Sequence, residues 1–286
     1  MSVDPQTPKS TYMMDSENAA EVARLSRQDR LFTRYMGGLF PERSDVSSIH
    51  DVLDLACGPG GWAMEVAETF PGMQVTGVDL SPLMVAYAQA TASEKGIPNI
   101  HFREMDVLQP FDFPDDTFDL VNVRLIFGFM PPAAWPKFLL ECMRVTRPGG
   151  IIRLTDCENG LSNSLACEQL GRLSAAALKK AGQSFSPDGY HLSITPMLGR
   201  LLSDAGGKNI QRMSHCCDYS AGMEAHIEVF QDVMVGYKLA QPFLLRMGVA
   251  TQQELDRLYQ VAIDEMQASN FCGLFFYLTV WGEVAK

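Results

Sequence analysis

The sequence is short of positive charge, and it has neither a long apolar run nor a cysteine spacing typical of zinc sites. Lys and Arg total 23 against 34 Asp and Glu, which gives a formal net charge of −11. This balance argues against nucleic acids as partners, because their phosphates need a basic surface, and against electrostatic docking on anionic membranes. The most apolar segment, residues 271–282, is too short to cross a bilayer as a helix, so no membrane insertion is expected.

Cysteine usage indicates a reducing compartment. The chain has seven cysteines, an odd number with no metal-site spacing, and its N-terminus shows no basic region followed by an apolar one. We therefore expect a cytoplasmic protein that carries no metal ion. Binding of arsenic(III) by Cys157, Cys216 and Cys217 is an alternative role for these thiols, although buried structural cysteines are far more common.

The length of 286 residues suits one large domain with additions, and a hydrophobic content of 47% is that of a globular chain. We expect residues 1–40 to form an N-terminal arm and lid helix, and residues 41–286 to form the main domain. Helical cap insertions are expected at about 160–193 and 222–269. The oligomeric state is not predicted.

Apolar strand patterns alternate with helical ones through the first half of the main domain. The predicted strands cover residues 51–56, 73–80, 100–106, 118–125 and 151–157. Such alternation is typical of parallel β-α-β units. Together with two later predicted strands, at about 209–217 and 271–284, it predicts an α/β fold with a doubly wound, mostly parallel, seven-stranded Rossmann-like sheet and helical cap insertions.

Three of these strands end in residues suited to binding a nucleoside. The first ends in Gly58-Pro59-Gly60 with Ala63 three residues further on, which fits a glycine-rich turn that lets a ligand approach the backbone. Asp79 closes the second strand, and its carboxylate can accept hydrogen bonds from two ribose hydroxyls. Asp106 closes the third. All three ends meet at the carboxyl edge of a parallel sheet, where ligands bind in this architecture.

The acidic surroundings favour a cationic ligand over a dinucleotide. Asp54 lies inside the first strand, where it would repel phosphate and attract an ammonium group. Residues 104–119 contain six acids and no base. A nucleoside that carries a sulfonium group and an amino acid therefore fits better than a pyrophosphate.

Four segments in order resemble the motifs of the class I S-adenosylmethionine-dependent methyltransferases, and within them the small-molecule branch of the ubiquinone and menaquinone biosynthesis enzymes. The segments are VLDLACGPGG, VTGVDLSPLMV, MDVLQPFDFPDDTFDLV and VTRPGGIIRL. The resemblance covers residues 50–157 and implies that S-adenosyl-L-methionine is the cofactor and S-adenosyl-L-homocysteine the product.

The resemblance also implies roles for single residues. The methionine part of the cofactor would contact Ala56, Gly58 and Gly60. The nucleoside part would contact Asp79 through its ribose, Leu80 through its adenine ring, and Asp106 and the Val107 backbone through the adenine edge.

Four further residues are expected near the cofactor. Arg124 and Leu125 follow the fourth strand and would lie near the methionyl end of the cofactor. Arg124 departs from the usual small or polar residue, and it would hold the cofactor carboxylate, hold a substrate anion, or form an ion pair in the acidic cleft. Tyr12 and Gln28 lie where an N-terminal helix often covers the cofactor in this family, although a packed aromatic ring and a solvated amide are equally ordinary interpretations.

The leading functional hypothesis is methyl transfer to a small, largely apolar molecule by in-line displacement. The candidate catalytic groups are Tyr190 and His191, in a loop after the first cap helix, and His226, in the second insertion. Lone histidines, however, are more often packed or at the surface. The alternatives are a non-transferring S-adenosylmethionine-binding protein, such as a regulatory module or a cyclase, and an NAD(P)-dependent oxidoreductase.

Overall fold

The computed structural model describes residues 11–285, so the part of the predicted arm at residues 1–10 lies outside it. The helices are α1 (Ala19–Tyr35), α2 (Gly61–Thr69), α3 (Pro82–Lys95), α4 (Trp135–Val145), α5 (Leu165–Lys180), α6 (Thr195–Asp204), α7 (His226–Arg246) and α8 (Gln252–Met266). The strands are β1 (Asp51–Leu55), β2 (Gln74–Asp79), β3 (Ile100–Glu104), β4 (Phe118–Arg124), β5 (Thr146–Cys157), β6 (Leu161–Ser162), β7 (Lys208–Asp218) and β8 (Gly273–Glu283).

The described strands form a single mixed sheet, which confirms the predicted fold class. Its order is β3-β2-β1-β4-β5-β8, with β7 on the far side of β8. Strands β1 to β5 are parallel, and β8 runs antiparallel to both β5 and β7. The strand count is eight rather than seven, because the two residues of β6 pair with the start of β8. Two residues are too few to show the alternation by which a strand is predicted.

Helices cover both faces of the sheet, so the central strands are buried on both sides. Val52 and Leu53 are consecutive in β1 and fully buried, yet they belong to different hydrophobic clusters. Successive strand residues point to opposite faces, which explains why two consecutive residues of β1 are both apolar.

The start of β5 carries a sequence that is typical of a turn. The segment Arg147-Pro148-Gly149-Gly150 nevertheless lies within β5, and Gly149 and Gly150 exchange backbone hydrogen bonds with Val284. In the region expected as the first helical insertion, the short strand β6 precedes α5.

Helices α5, α7 and α8 pack together and reach the N-terminal helix. Helix α7 contacts α5 and α8, and it also contacts α1. None of the helices in residues 11–285 is long and apolar enough to cross a membrane.

Candidate active site

A cavity of about 350 Å³ lies at the carboxyl ends of β1, β2 and β4, a volume typical of small-molecule sites. Its other walls come from α1, α5, α7 and β8. The structure brings nearly all of the predicted cofactor residues to this cavity: Tyr12, Gln28, Ala56, Gly58, Asp79, Leu80, Asp106, Val107, Arg124 and Leu125.

Gly60 is the one predicted cofactor residue that does not line the cavity. It is the N-cap of α2 and has φ +77°, a conformation that favours glycine. A Cβ atom there would lie 2.5 Å from the Phe102 ring. The structure thus gives Gly60 a packing role beneath the turn.

The backbone is strained where β1 and β4 enter the cavity. Ala56 has φ +54° and Leu125 has φ +57°, although neither residue is glycine. Such conformations cost about 1–3 kcal/mol each and cluster at ligand sites. No sequence signal marks them, because alanine and leucine are ordinary residues in any turn.

Asp79 connects the glycine-rich turn to the start of α3. Its Oδ2 accepts a hydrogen bond from the Gly58 N–H and its Oδ1 accepts one from the Ser81 N–H, both at 2.9 Å. Burial raises the pKa of this carboxyl group above its usual range, and these backbone bonds oppose that shift. Asp106 accepts a hydrogen bond from the Leu108 N–H at 2.9 Å, which fixes its carboxylate in the next loop.

Asp54 lies beneath the glycine-rich turn and accepts a hydrogen bond from Asn122 Nδ2 at 2.8 Å. Burial raises the pKa of Asp54 to about 7. Its charge at neutral pH is therefore only partial. Asn122 in turn accepts a hydrogen bond from Arg153, which is paired with Glu42.

Arg124 forms an ion pair within the acidic cleft, which is one of the three possibilities left open by the sequence. Its guanidinium pairs with Asp29 and donates a hydrogen bond to Thr33 Oγ1 at 3.0 Å. Both partners belong to α1, so Arg124 joins the end of β4 to the N-terminal helix.

Gln28 and Tyr12 belong to a second buried polar network. Gln28 Nε2 donates to Asp232 Oδ2 at 2.9 Å, and Arg24 donates to the other oxygen of Asp232 at 2.9 Å. Arg24 also pairs with Glu21, whose Oε1 accepts a hydrogen bond from the Tyr12 hydroxyl. This network joins the N-terminal segment to α7.

The structure does not bring the predicted catalytic groups to the cavity. Tyr190 is 57% exposed and lies beside the guanidinium of Arg172, and His191 is also exposed. His226 Nδ1 lies 2.9 Å from the Tyr219 carbonyl oxygen and does not line the cavity. In residues 11–285, no histidine or lysine is among the lining residues.

Sequence reasoning missed the wall on the far side of the cavity. Its side chains include Glu158, Cys167, Tyr219, Tyr237, Phe275 and Tyr277. These residues come from late elements whose position over β1 is set by tertiary packing, so no local pattern identifies them.

The three cysteines considered for arsenic differ in their surroundings. Cys157 lines the cavity, Cys217 is buried without lining it, and Cys216 is exposed. Residues 11–285 contain no group of three or more side chains placed to hold a metal ion.

The strand order, the glycine-rich turn after β1 and the acids after β2 and β3 define a class I S-adenosylmethionine-dependent methyltransferase fold. Comparison with known proteins agrees, because residues 52–150 match the family model described as a methyltransferase domain. The predicted resemblance is thereby confirmed.

Two curated relatives carry methyltransferase names. The protein described as "Probable methyltransferase ltbC" from Aspergillus luteorubrus is 32% identical over 163 residues, which cover 54% of this chain and 56% of that protein. The demethylmenaquinone methyltransferase of Thermus thermophilus is 41% identical over 99 residues, which cover 35% of this chain and 43% of that protein. The chain thus spans about half the length of these curated relatives.

Among solved structures, the geranyl diphosphate C-methyltransferase of Streptomyces coelicolor has a TM-score of 0.52 at 14% identity, covering 96% of this chain and 87% of that one. Phosphoethanolamine N-methyltransferase 2 of Haemonchus contortus has a TM-score of 0.51 at 18% identity, covering 91% and 52%. At these identities the likeness supports the fold alone.

Proposed function

We propose that this protein transfers a methyl group from S-adenosylmethionine to a small, largely apolar acceptor. The observation that carries the proposal is the continuity of one cavity. It runs from the motif residues Gly58, Asp79 and Asp106 to walls built by the later helices and β8. A cofactor and its acceptor would therefore share one cavity.

In this proposal the motif residues bind the nucleoside. Each oxygen of Asp79 already accepts one backbone N–H and retains capacity for a ribose hydroxyl. Leu80 would pack on the adenine ring, and Asp106 with the Val107 backbone would contact its polar edge. Gly58 and the strained Ala56 would face the methionine part with their backbone.

The ion pair of Arg124 with Asp29 supports a positioning role for Arg124 and Leu125 at the end of β4. Tyr12 and Gln28 would hold the N-terminal segment and α1 over the cofactor through their links to Glu21 and Asp232. We accordingly propose residues 1–40 as arm and lid, and the helical regions within 160–193 and 222–269 as caps on the 41–286 domain.

S-adenosylmethionine supplies an electrophilic methyl group on a sulfonium centre. The protein would align the acceptor atom with that methyl group at a separation of ~3–3.5 Å and exclude water, which accounts for much of the rate of such reactions. The acceptor atom would form the new bond to the methyl carbon as the carbon–sulfur bond breaks, and the electron pair of that bond would stay on sulfur. A proton on the acceptor would pass to a carboxylate that lines the cavity, or to water as the product leaves.

A transfer assay tests this proposal. The protein is incubated with cofactor labelled in its methyl group and with reduced demethylmenaquinone or 2-naphthol as trial acceptors. Label in the organic extract supports the proposal. Retention of the label in the cofactor with both acceptors, although the cofactor binds, favours the second candidate.

That second candidate is a non-transferring cofactor-binding protein, either a regulatory module or a cyclase. It is favoured by one observation: no histidine or lysine of residues 11–285 lines the cavity. Methyl transfer depends first on alignment, so this observation alone does not displace the leading proposal.

The proposal also includes a small molecule, rather than a nucleic acid, as the partner, and a cytoplasmic location. All seven cysteines are free thiols in the structure, which suits a reducing compartment. The net charge of −11 makes nucleic acid an unfavourable partner.

A further inference from the structure

Four aromatic rings form one wall of the cavity. Phe32 of α1 packs against Tyr277 of β8 with ring centroids 4.8 Å apart, and Tyr219 stacks on Phe275 at 5.0 Å. Phe275 and Tyr277 lie 6.1 Å apart, which joins the two pairs. All four residues line the cavity, so a planar ligand would meet ring faces and edges that favour aromatic partners.

Tyr277 brings an unsatisfied hydroxyl to this wall. The residue is 1% exposed, and its Oη has no hydrogen-bond partner in residues 11–285. Buried polar groups are nearly always paired, and an unpaired one destabilises the protein unless a ligand completes it. Burial raises the pKa of this phenol well above its usual range, so the hydroxyl keeps its proton and acts as a donor.

Both arginines that line the cavity are already paired with acids. Arg24 pairs with Glu21 and Asp232, and Arg124 pairs with Asp29. Within residues 11–285, the cavity therefore has no unpaired lining cation to bind an acceptor that carries a phosphate or carboxylate.

Resting on the proposed function, we infer that the acceptor is an aromatic molecule without an anionic group and with an oxygen atom that accepts a hydrogen bond from Tyr277 Oη. The ring wall selects the flat apolar body, the hydroxyl selects the oxygen, and the paired arginines disfavour anionic analogues. Tyr277 is thus a residue that determines acceptor specificity.

A matched pair of ligands tests the hydrogen bond. 2-Acetylnaphthalene and 2-ethylnaphthalene have nearly the same shape and differ in one carbonyl oxygen. Their dissociation constants are measured by ligand-observed NMR with S-adenosylhomocysteine at saturation. The Tyr277→Phe substitution removes only the hydroxyl, and we expect it to lower the preference for the ketone about tenfold.

Tyr237→Phe is the matched control. Tyr237 also lines the cavity, but its hydroxyl donates to the Cys167 carbonyl oxygen at 3.3 Å. This variant should keep the wild-type ratio of the two dissociation constants. A Tyr277→Phe ratio equal to that of the wild type overturns the inference.

A second measurement on the wild-type protein does not depend on how the variants fold. 2-Naphthoate should bind at least about tenfold more weakly than 2-acetylnaphthalene. Stronger binding of the naphthoate overturns the inference, as does failure of both neutral naphthalenes to bind while S-adenosylhomocysteine binds. Failure of S-adenosylhomocysteine itself to bind overturns the proposed function instead.

Discussion

Arg124 at the end of β4 forms an ion pair with Asp29 of α1, although the two residues lie 95 positions apart. Both side chains are largely buried at the edge of the cavity. The pair fixes the N-terminal helix over the carboxyl end of the sheet, and it therefore couples the stability of the fold to the shape of the proposed cofactor site.

Breaking this pair from one side should destabilise the protein. Arg124→Met leaves the Asp29 carboxylate without its partner, and the loss of one member of a buried pair costs about 3 kcal/mol. Urea unfolding measures the change in the free energy of unfolding. The double variant Asp29→Asn/Arg124→Met should recover part of the loss. The single variant Asp29→Asn is measured as well. If the loss in the double variant equals the sum of the losses in Arg124→Met and Asp29→Asn, the two residues do not interact as described.

Asp79→Asn should weaken cofactor binding while it preserves the fold. The amide still accepts one backbone N–H but loses the charge-assisted acceptance of ribose hydroxyls, so we expect about a 10- to 100-fold higher dissociation constant for S-adenosylhomocysteine. Asp45→Asn is the control, because Asp45 lies on the surface and outside the cavity. Equal dissociation constants for the two variants would exclude the role proposed for Asp79.

Asp54 should make the protein less stable as the pH rises from about 4 to 7. Its pKa is raised by burial to about 7, so between these values the folded protein binds a proton that the unfolded chain has released. Stability from this group is therefore greatest below its unfolded pKa and falls until the pH passes 7. The loss in unfolding free energy between pH 5 and pH 8 should be smaller for Asp54→Asn than for the wild type. An identical loss in both proteins would contradict the assignment.

Gly60→Ala should lower stability through packing as well as backbone strain. The added Cβ meets the Phe102 ring, and φ at Gly60 is +77°. We expect a loss of about 2–4 kcal/mol from the two effects together. Gly96→Ala separates them, because Gly96 has φ +66° but no atom within 4 Å of its added Cβ, and it should cost about 1 kcal/mol. Similar losses at both sites would remove the packing role.

The sheet and the cofactor side of the cavity were predictable because they depend on local patterns. Asp79 ends β2 and Asp106 follows β3, and the carboxyl ends of parallel strands meet at one edge. The positions of both side chains at the cavity follow from that topology. Gly60 shows the limit of the motif, since its spacing is right but its backbone serves packing against Phe102.

The acceptor side was not predictable from local patterns. Tyr277 lies in the last strand and faces the cavity only because β8 enters the sheet antiparallel beside β5. Tyr237 has the helical spacing of a core residue, yet it lines the cavity. Tyr190 and His191 looked accessible to a substrate, but the loop that carries them turns toward solvent.

Calorimetric titration of the wild-type protein with S-adenosylmethionine tests the central claim most directly. The account predicts saturable binding of one molecule per chain, with competition by S-adenosylhomocysteine. No detectable binding of either compound to a folded protein would contradict the assignment of the cavity as a cofactor site.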